Sequence, residues 1–320
     1  MICEVESMKK NVLFVSSEAV PFIKTGGLAD VAGSLPKYFD KERYDVRVML
    51  PKYLCIPEKW RNQMKYVTHF YMDLAWRSQY VGVLEMEYAG VHYYFIDNEF
   101  YFAGPKPYGY IHEDIEKFAF FSKAALSAMP LLNFKPDIVH CHDWQTGLVP
   151  VYMKERFHDG EFFRDMKSVM TIHNLKFQGI WDLKKVKDIT GLPPYFFTSD
   201  KLEAYGDANY LKGGIVYADA VTTVSESYAQ EIKTPFYGEH LDGLMRARSN
   251  CLTGIVNGID YDEFNPETDK RIVANYNQKT FRKEKGKNKK ALQQELGLEV
   301  NDKKFMIGIV SRLTDQKGFD

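Results

Sequence analysis

Long apolar runs are missing from this chain, and no window approaches the roughly 18 uninterrupted apolar residues that a membrane span requires. Near the N-terminus Lys9 and Lys10 lead only into Val12 to Val15 before Ser16, Ser17 and Glu18 interrupt, which is too short for a secretory leader. The expectation is a cytoplasmic protein with no membrane partner. Cysteine is scarce: Cys3, Cys55, Cys141 and Cys251 lie far apart with no C-x-x-C pair, which argues against a zinc ribbon or a disulfide framework. Charge of one sign is also lacking. With 42 Lys and Arg against 43 Asp and Glu, the formal net charge is -1, so no basic field gathers nucleic acid. Three catalytic signatures are absent: the G-x-S-x-G elbow, the G-x-x-x-x-G-K-[ST] phosphate loop, and G-x-G-x-x-G after the first strand. Serine hydrolases, P-loop NTPases and nicotinamide dehydrogenases lose their support.

What is present suits a globular protein. A 45% hydrophobic content, with 15% aromatics, is enough for a sizeable core, and 320 residues suggest two domains at about 150 each. Short β-branched and apolar runs recur at 11–17, 45–50, 137–142, 168–172, 220–224 and 252–256, each bounded by polar, Gly or Pro residues, and read as buried strands. Between the first two, Leu28, Val31, Ala32, Leu35 and Phe39 repeat at helical spacing. Strand alternating with helix predicts a doubly wound α/β sheet. Residues 79–87 and 91–97, separated by Tyr88-Ala89-Gly90, predict an antiparallel hairpin, and 114–132 predicts a helix with an acidic first turn. From Asp260 the pattern weakens. Asn265-Pro266 breaks the chain, the Lys-rich run 279–290 reads as a solvated connection and helix start, 290–298 as helix, and 304–310 as a new buried strand.

In parallel sheets ligands gather beyond the carboxyl ends of strands. After the first strand stand Glu18 and then Lys24-Thr25-Gly26-Gly27-Leu28-Ala29-Asp30, a glycine turn entering a helix, where backbone N–H groups and Lys24 would suit a diphosphate. The third parallel run ends in His142-Asp143-Trp144, a proton-active ring, a carboxylate and an indole, groups that hold sugars. The next ends in Thr171-Ile172-His173-Asn174, with Gln178-Gly179 close behind. His140 and His142 share a strand face, but no third ligand stands at recognisable spacing, so no metal site is expected.

Taken together these motifs resemble the glycogen and starch synthases, retaining glucosyltransferases with two facing Rossmann-like domains. The resemblance also rests on Lys212-Gly213-Gly214 before Ala218-Asp219, on Thr223-Val224-Ser225, on Val256-Asn257-Gly258-Ile259-Asp260 and on the run from Ser311 to Gly318. It implies a GT-B fold, with residues 8–262 a complete N-terminal Rossmann-like domain and 263–320 a linker and the start of the C-terminal one. It implies transfer of glucose from ADP-glucose to the non-reducing end of an α-1,4-glucan, without cofactor or metal. Lys24, Gly26, Gly27, Asn257, Arg312 and Lys317 would meet the donor. Glu18, Asp143, His173 and Lys24 would be the catalytic set, with the His173 carbonyl near the anomeric carbon. Tyr101, Trp144, Asn174 and Asp30 would line the sugar and acceptor side. The family's second domain continues beyond Asp320 with an acidic donor-gripping loop, so the expectation is a truncated chain that is inactive alone. Two alternatives stand beside this: a non-catalytic glucan-binding module, and a UDP-glucose-dependent transferase of the sucrose or trehalose type.

Overall fold

The structure, a computed structural model, describes residues 9–157 and 160–319. Cys3 and the outer ends of the two expected domains, Met8 and Asp320, lie outside the described residues. The chain divides into two compact units, one ending at Asn257 and one beginning at Gly258.

Twelve strands are described in the first unit. They are β1 (Lys10–Val15), β2 (Tyr44–Pro51), β3 (Lys65–Leu74), β4 (Arg77–Tyr88), β5 (Val91–Asp97), β6 (Ile138–His142), β7 (Lys167–Ile172), β8 (Ile180–Asp182), β9 (Glu203–Ala204), β10 (Asp207–Asn209), β11 (Ala220–Thr223) and β12 (Leu252–Gly254). Nine form one sheet in the order β12-β11-β7-β6-β1-β2-β5-β4-β3; β8, β10 and β9 form a small second one. From β12 through β5 every pairing is parallel, and β5-β4 and β4-β3 are antiparallel. The expected hairpin is β4 and β5, turned by Ala89 and Gly90, both at positive φ.

A strand buried on both faces must be apolar wherever it is covered, and β1 obeys once past Lys10 and Asn11: Leu13, Phe14 and Val15 are all fully enclosed. β3 was not anticipated. As the edge strand it exposes half of its side chains and mixes Lys65, Thr68 and His69 among its aromatics, so its sequence reads as surface.

Helix α1 (Gly27–Ser34) follows β1 and continues as a 3₁₀ turn over Leu35–Tyr38, where Pro36 removes a helical N–H. Helix α2 (Ile111–Ala128) starts three residues earlier than its sequence pattern, and its face of Phe118, Phe121 and Ala125 fills the core. Helix α3 (Tyr210–Tyr217) carries Lys212-Gly213-Gly214, and the structure gives that motif a packing role. A Cβ on Gly214 would meet Met170 Cε at 2.3 Å and Gly147 Cα at 3.0 Å, while Lys212 Nζ donates to the carbonyls of Ser199 and Glu203. Asp219 is likewise structural, accepting from Ser168 N at 2.8 Å and Ser168 Oγ at 3.0 Å.

Sheet order fixes where a ligand can sit. The chain leaves β1 for β2 on one side and returns through β6 on the other, so the strand order reverses between β1 and β6. Loops from those two carboxyl ends diverge and leave a crevice.

In the second unit helix α4 (Phe281–Glu295) begins inside the Lys-rich run, nine residues ahead of the expected 290–298. Lys287 pairs with Glu284 at 2.7 Å, and Lys290 with Asp302 at 2.7 Å. The expected buried strand at 304–310 is not formed. Phe305 is 91% exposed, and no strand pairs with the run among the described residues. Strand geometry needs a neighbour to satisfy its backbone groups, and apolar alternation alone does not supply one.

Candidate functional site

The crevice is built from the carboxyl ends of β1, β6 and β7. After β1, the buried Glu18 carboxylate is a junction. Its Oε2 accepts from Thr25 N, and its Oε1 accepts from Thr25 Oγ1 at 2.8 Å and from Tyr108 O–H at 2.5 Å. Because the Tyr108 proton goes to Glu18, Ser17 Oγ at 2.8 Å is the donor to Tyr108. Burial, Tyr53 and Glu18 push the Tyr108 hydroxyl well above its ordinary pKa, which keeps it a donor.

Glu18 thus ties down the glycine turn. Gly26 is extended, α1 starts at Gly27, and the first N–H groups of the helix have no intrahelical partner. A Cβ on either glycine would meet nothing within 4 Å, so the side facing these amides is open. Lys24 Nζ rests on Asp30 Oδ1 at 2.8 Å with both side chains about half exposed. So exposed a pair holds its ammonium weakly, and an arriving anion can take it over.

After β6, Asp143 has φ 56° and ψ -173°, a region that only glycine occupies freely. Its buried Oδ1 accepts from His173 N at 2.7 Å and from Asn174 N at 3.4 Å. Burial pushes the carboxyl up to about 7 against those two bonds, and the charge of Glu18 adds to the rise, so the two carboxyls share one crevice. His173 is partly exposed, and its Nε2 lies 3.0 Å from His142 Nδ1. Burial lowers its pKa to about 4, so the ring is neutral. His140 stacks on His142 at 4.4 Å, as their shared strand face requires, and its Nε2 meets Thr171 Oγ1 at 2.6 Å.

Thus Glu18, Lys24, Gly26, Asp143, His173 and Asn174 on the loops, and Gly27 and Asp30 in the first turn of α1, all stand at this end of the sheet. Two expected sugar-side residues are enclosed instead. Trp144 is 7% exposed; Phe118 abuts it edge-on at 5.2 Å, and Gly179 lies so close that a Cβ there would be 2.3 Å from the indole. Tyr101 stacks on Phe120 at 4.5 Å and donates to Glu116 at 2.8 Å, because Asn98 caps the short helix that carries it. Asn257, at the end of the first unit, is exposed; Arg312 and Lys317 are exposed on the second.

Tyr108 is the residue that sequence reasoning missed. Asp114, at the start of α2, accepts from Gly109 N at 3.0 Å and pairs with Lys117 at 2.6 Å, and Lys117 also donates to Pro107 O at 3.2 Å. This clamp presents Tyr108 to Glu18.

The starch synthase catalytic domain model matches residues 11–247. The chain belongs to that family. It is 79% identical over 311 residues to a glycogen synthase of Lachnospira eligens and 68% identical over 311 residues to one of Lachnoclostridium phytofermentans. In both cases 97% of this chain is covered, and the chain spans 65% of the relative's length. Among solved structures, the catalytic domain of starch synthase IV from Arabidopsis thaliana bound to ADP and acarbose superposes with a TM-score of 0.80 at 30% identity, covering 91% of this chain and 60% of that one. The family match takes in the whole crevice, from Glu18 through Asn174. The α/β architecture with its parallel-rich sheet is that of the starch synthase catalytic domain.

Proposed function

We propose that the complete protein is a glycogen synthase that transfers glucose from ADP-glucose to the non-reducing end of an α-1,4-glucan with retention of configuration. The observation that carries this reading is the pairing, in one switch-point crevice, of an open glycine turn beside Lys24 with the Asp143-His173-Asn174 clamp. Amides and an ammonium suit a departing diphosphate; the clamp suits a sugar.

As the glycosidic bond breaks, negative charge grows on the diphosphate, and preorganised N–H dipoles and cations lower the barrier by several kcal/mol. Lys24 and the α1 N-terminus supply this from the first unit. Arg312 and Lys317 supply it from the second, and Asn257, the last residue of the first unit, also meets the donor. Asp143 fixes the His173-Asn174 backbone, so the His173 carbonyl faces the anomeric carbon while its ring holds a sugar hydroxyl. No metal or cofactor enters this scheme. Residues 8–262 act as the acceptor-side domain and 263–320 open the nucleotide-sugar domain. The acarbose and ADP in the Arabidopsis enzyme's structure support the substrate classes. Cys55, Cys141 and Cys251 are all free thiols, which supports a cytoplasmic setting.

The test is incorporation of radiolabelled glucose from ADP-glucose into glycogen by the full-length protein. Label appearing instead in a disaccharide, or only from UDP-glucose, defeats the reading; retention of glycogen without any turnover leaves a binding module.

A further inference from the structure

Of the three histidines at the crevice, the proposed transfer uses only His173. His142 is fully enclosed. Its backbone N–H donates to Thr146 Oγ1 at 2.7 Å, its ring packs against His140 and Phe14, and its Nδ1 faces His173 Nε2 at 3.0 Å. His142 Nε2 is buried and has no hydrogen-bond partner. Two imidazole nitrogens this close must be one N–H and one lone pair, so the contact selects a tautomer.

Only two neutral assignments exist for His142. With the proton on Nε2, a buried N–H is orphaned. With the proton on Nδ1, that N–H donates to His173, and the unmatched atom is a lone pair. Orphaned buried N–H groups are much the rarer and costlier defect. We infer that His142 is a positioning residue whose Nδ1–H donates to His173 Nε2, locking His173 as its Nδ1–H tautomer and turning that N–H into a donor for a sugar hydroxyl oxygen. Among the described residues, His173 makes one further hydrogen bond, through its backbone N–H to Asp143, so Nδ1 is left for a ligand. Burial also lowers both rings' pKa values, which keeps the pair neutral. The sugar contact rests on the proposed function; the tautomer does not.

Long-range proton–nitrogen correlation spectra of the intact chain, labelled at histidine, read this directly. His142 and His173 are each expected as a single Nδ1–H form. In His142→Asn, whose side-chain amide still donates, His173 keeps that form. In His142→Leu it shifts to a majority Nε2–H form. An Nε2–H His173 in the unsubstituted chain overturns the inference, as does a His173 unmoved by His142→Leu. Should the Leu variant not fold, the unsubstituted spectrum decides alone. A full-length protein that transferred no glucose would defeat the proposed function and, where these tautomers are seen, leave the tautomer assignment standing.

Discussion

Asp143 holds a left-handed backbone and a carboxyl raised to about 7, both of which oppose stability. An acid whose folded pKa is raised binds its proton more tightly in the native state. Its penalty is therefore absent below the ordinary value of 3.8 and grows as pH rises towards 7. Asp143→Asn removes the titration, so its stability relative to the parent is expected to climb between those limits and level off above them. The total is roughly 4 kcal/mol, at about 1.4 kcal/mol per pKa unit. Denaturant unfolding of both proteins across that range checks it; a pH-independent difference would show that Asp143 titrates normally. Tyr108→Phe tests the opposite kind of contact. It strips a donor from a buried carboxylate, at a cost of about 1–3 kcal/mol, and should slow glucosyl transfer by the full-length protein. An unchanged rate would remove Tyr108 from the site. Tyr101 and Tyr108 stand seven positions apart, and composition does not separate them. Asn98 caps a helix that turns the first onto Phe120 and Glu116, while the clamp at Gly109 turns the second onto Glu18, and both bonds become visible only in the fold. The motifs after β1, β6 and β7 were legible because strand ends are local. The contact between His142 and His173 was not, because it depends on the register of β6 against β7.

Where helices and strands meet, glycine marks close approach, and its replacement distinguishes packing from mere flexibility. A Cβ on Gly147 would lie 2.2 Å from the Tyr210 carbonyl oxygen, backbone that has no rotamer to yield. Gly147→Ala is expected to cost about 1–3 kcal/mol or more through overpacking. Gly286 lies inside α4 with nothing within 4 Å of its added Cβ, so Gly286→Ala should stabilise by about 0.5–1 kcal/mol through helix propensity. Thermal unfolding of the two variants gives shifts of opposite sign; equal shifts would discredit the close packing of Gly147 against α3. The same contrast explains which elements the sequence announced. Strands β1, β6 and β7 lie in mid-sheet with most of their residues buried, and each contains a short apolar stretch, whereas edge strand β3 is patterned by water on one face. Helix α4 buries only Gln293, so no apolar stripe marked its start at Phe281. The apolar run at 304–310 carried the strand signal without a partner to pair with.

For the protein as a whole, the two units pose one electrostatic question. If Lys24 from the first and Arg312 from the second stabilise the same departing diphosphate, their effects on the rate cannot be independent. Each cation lowers the energy of charge that the other has already partly neutralised. Lys24→Ala and Arg312→Ala in the full-length protein should each reduce kcat strongly while leaving the unfolding midpoint in place, because Lys24 and Arg312 are exposed and support little structure. The double variant should then deviate from the product of the single effects by an interaction energy of about 0.5–3 kcal/mol, the range for groups that share a partner. Distant sites with no common ligand add within about 0.5 kcal/mol. Additivity in kcat would therefore separate the two cations and show that they do not act on one shared leaving group.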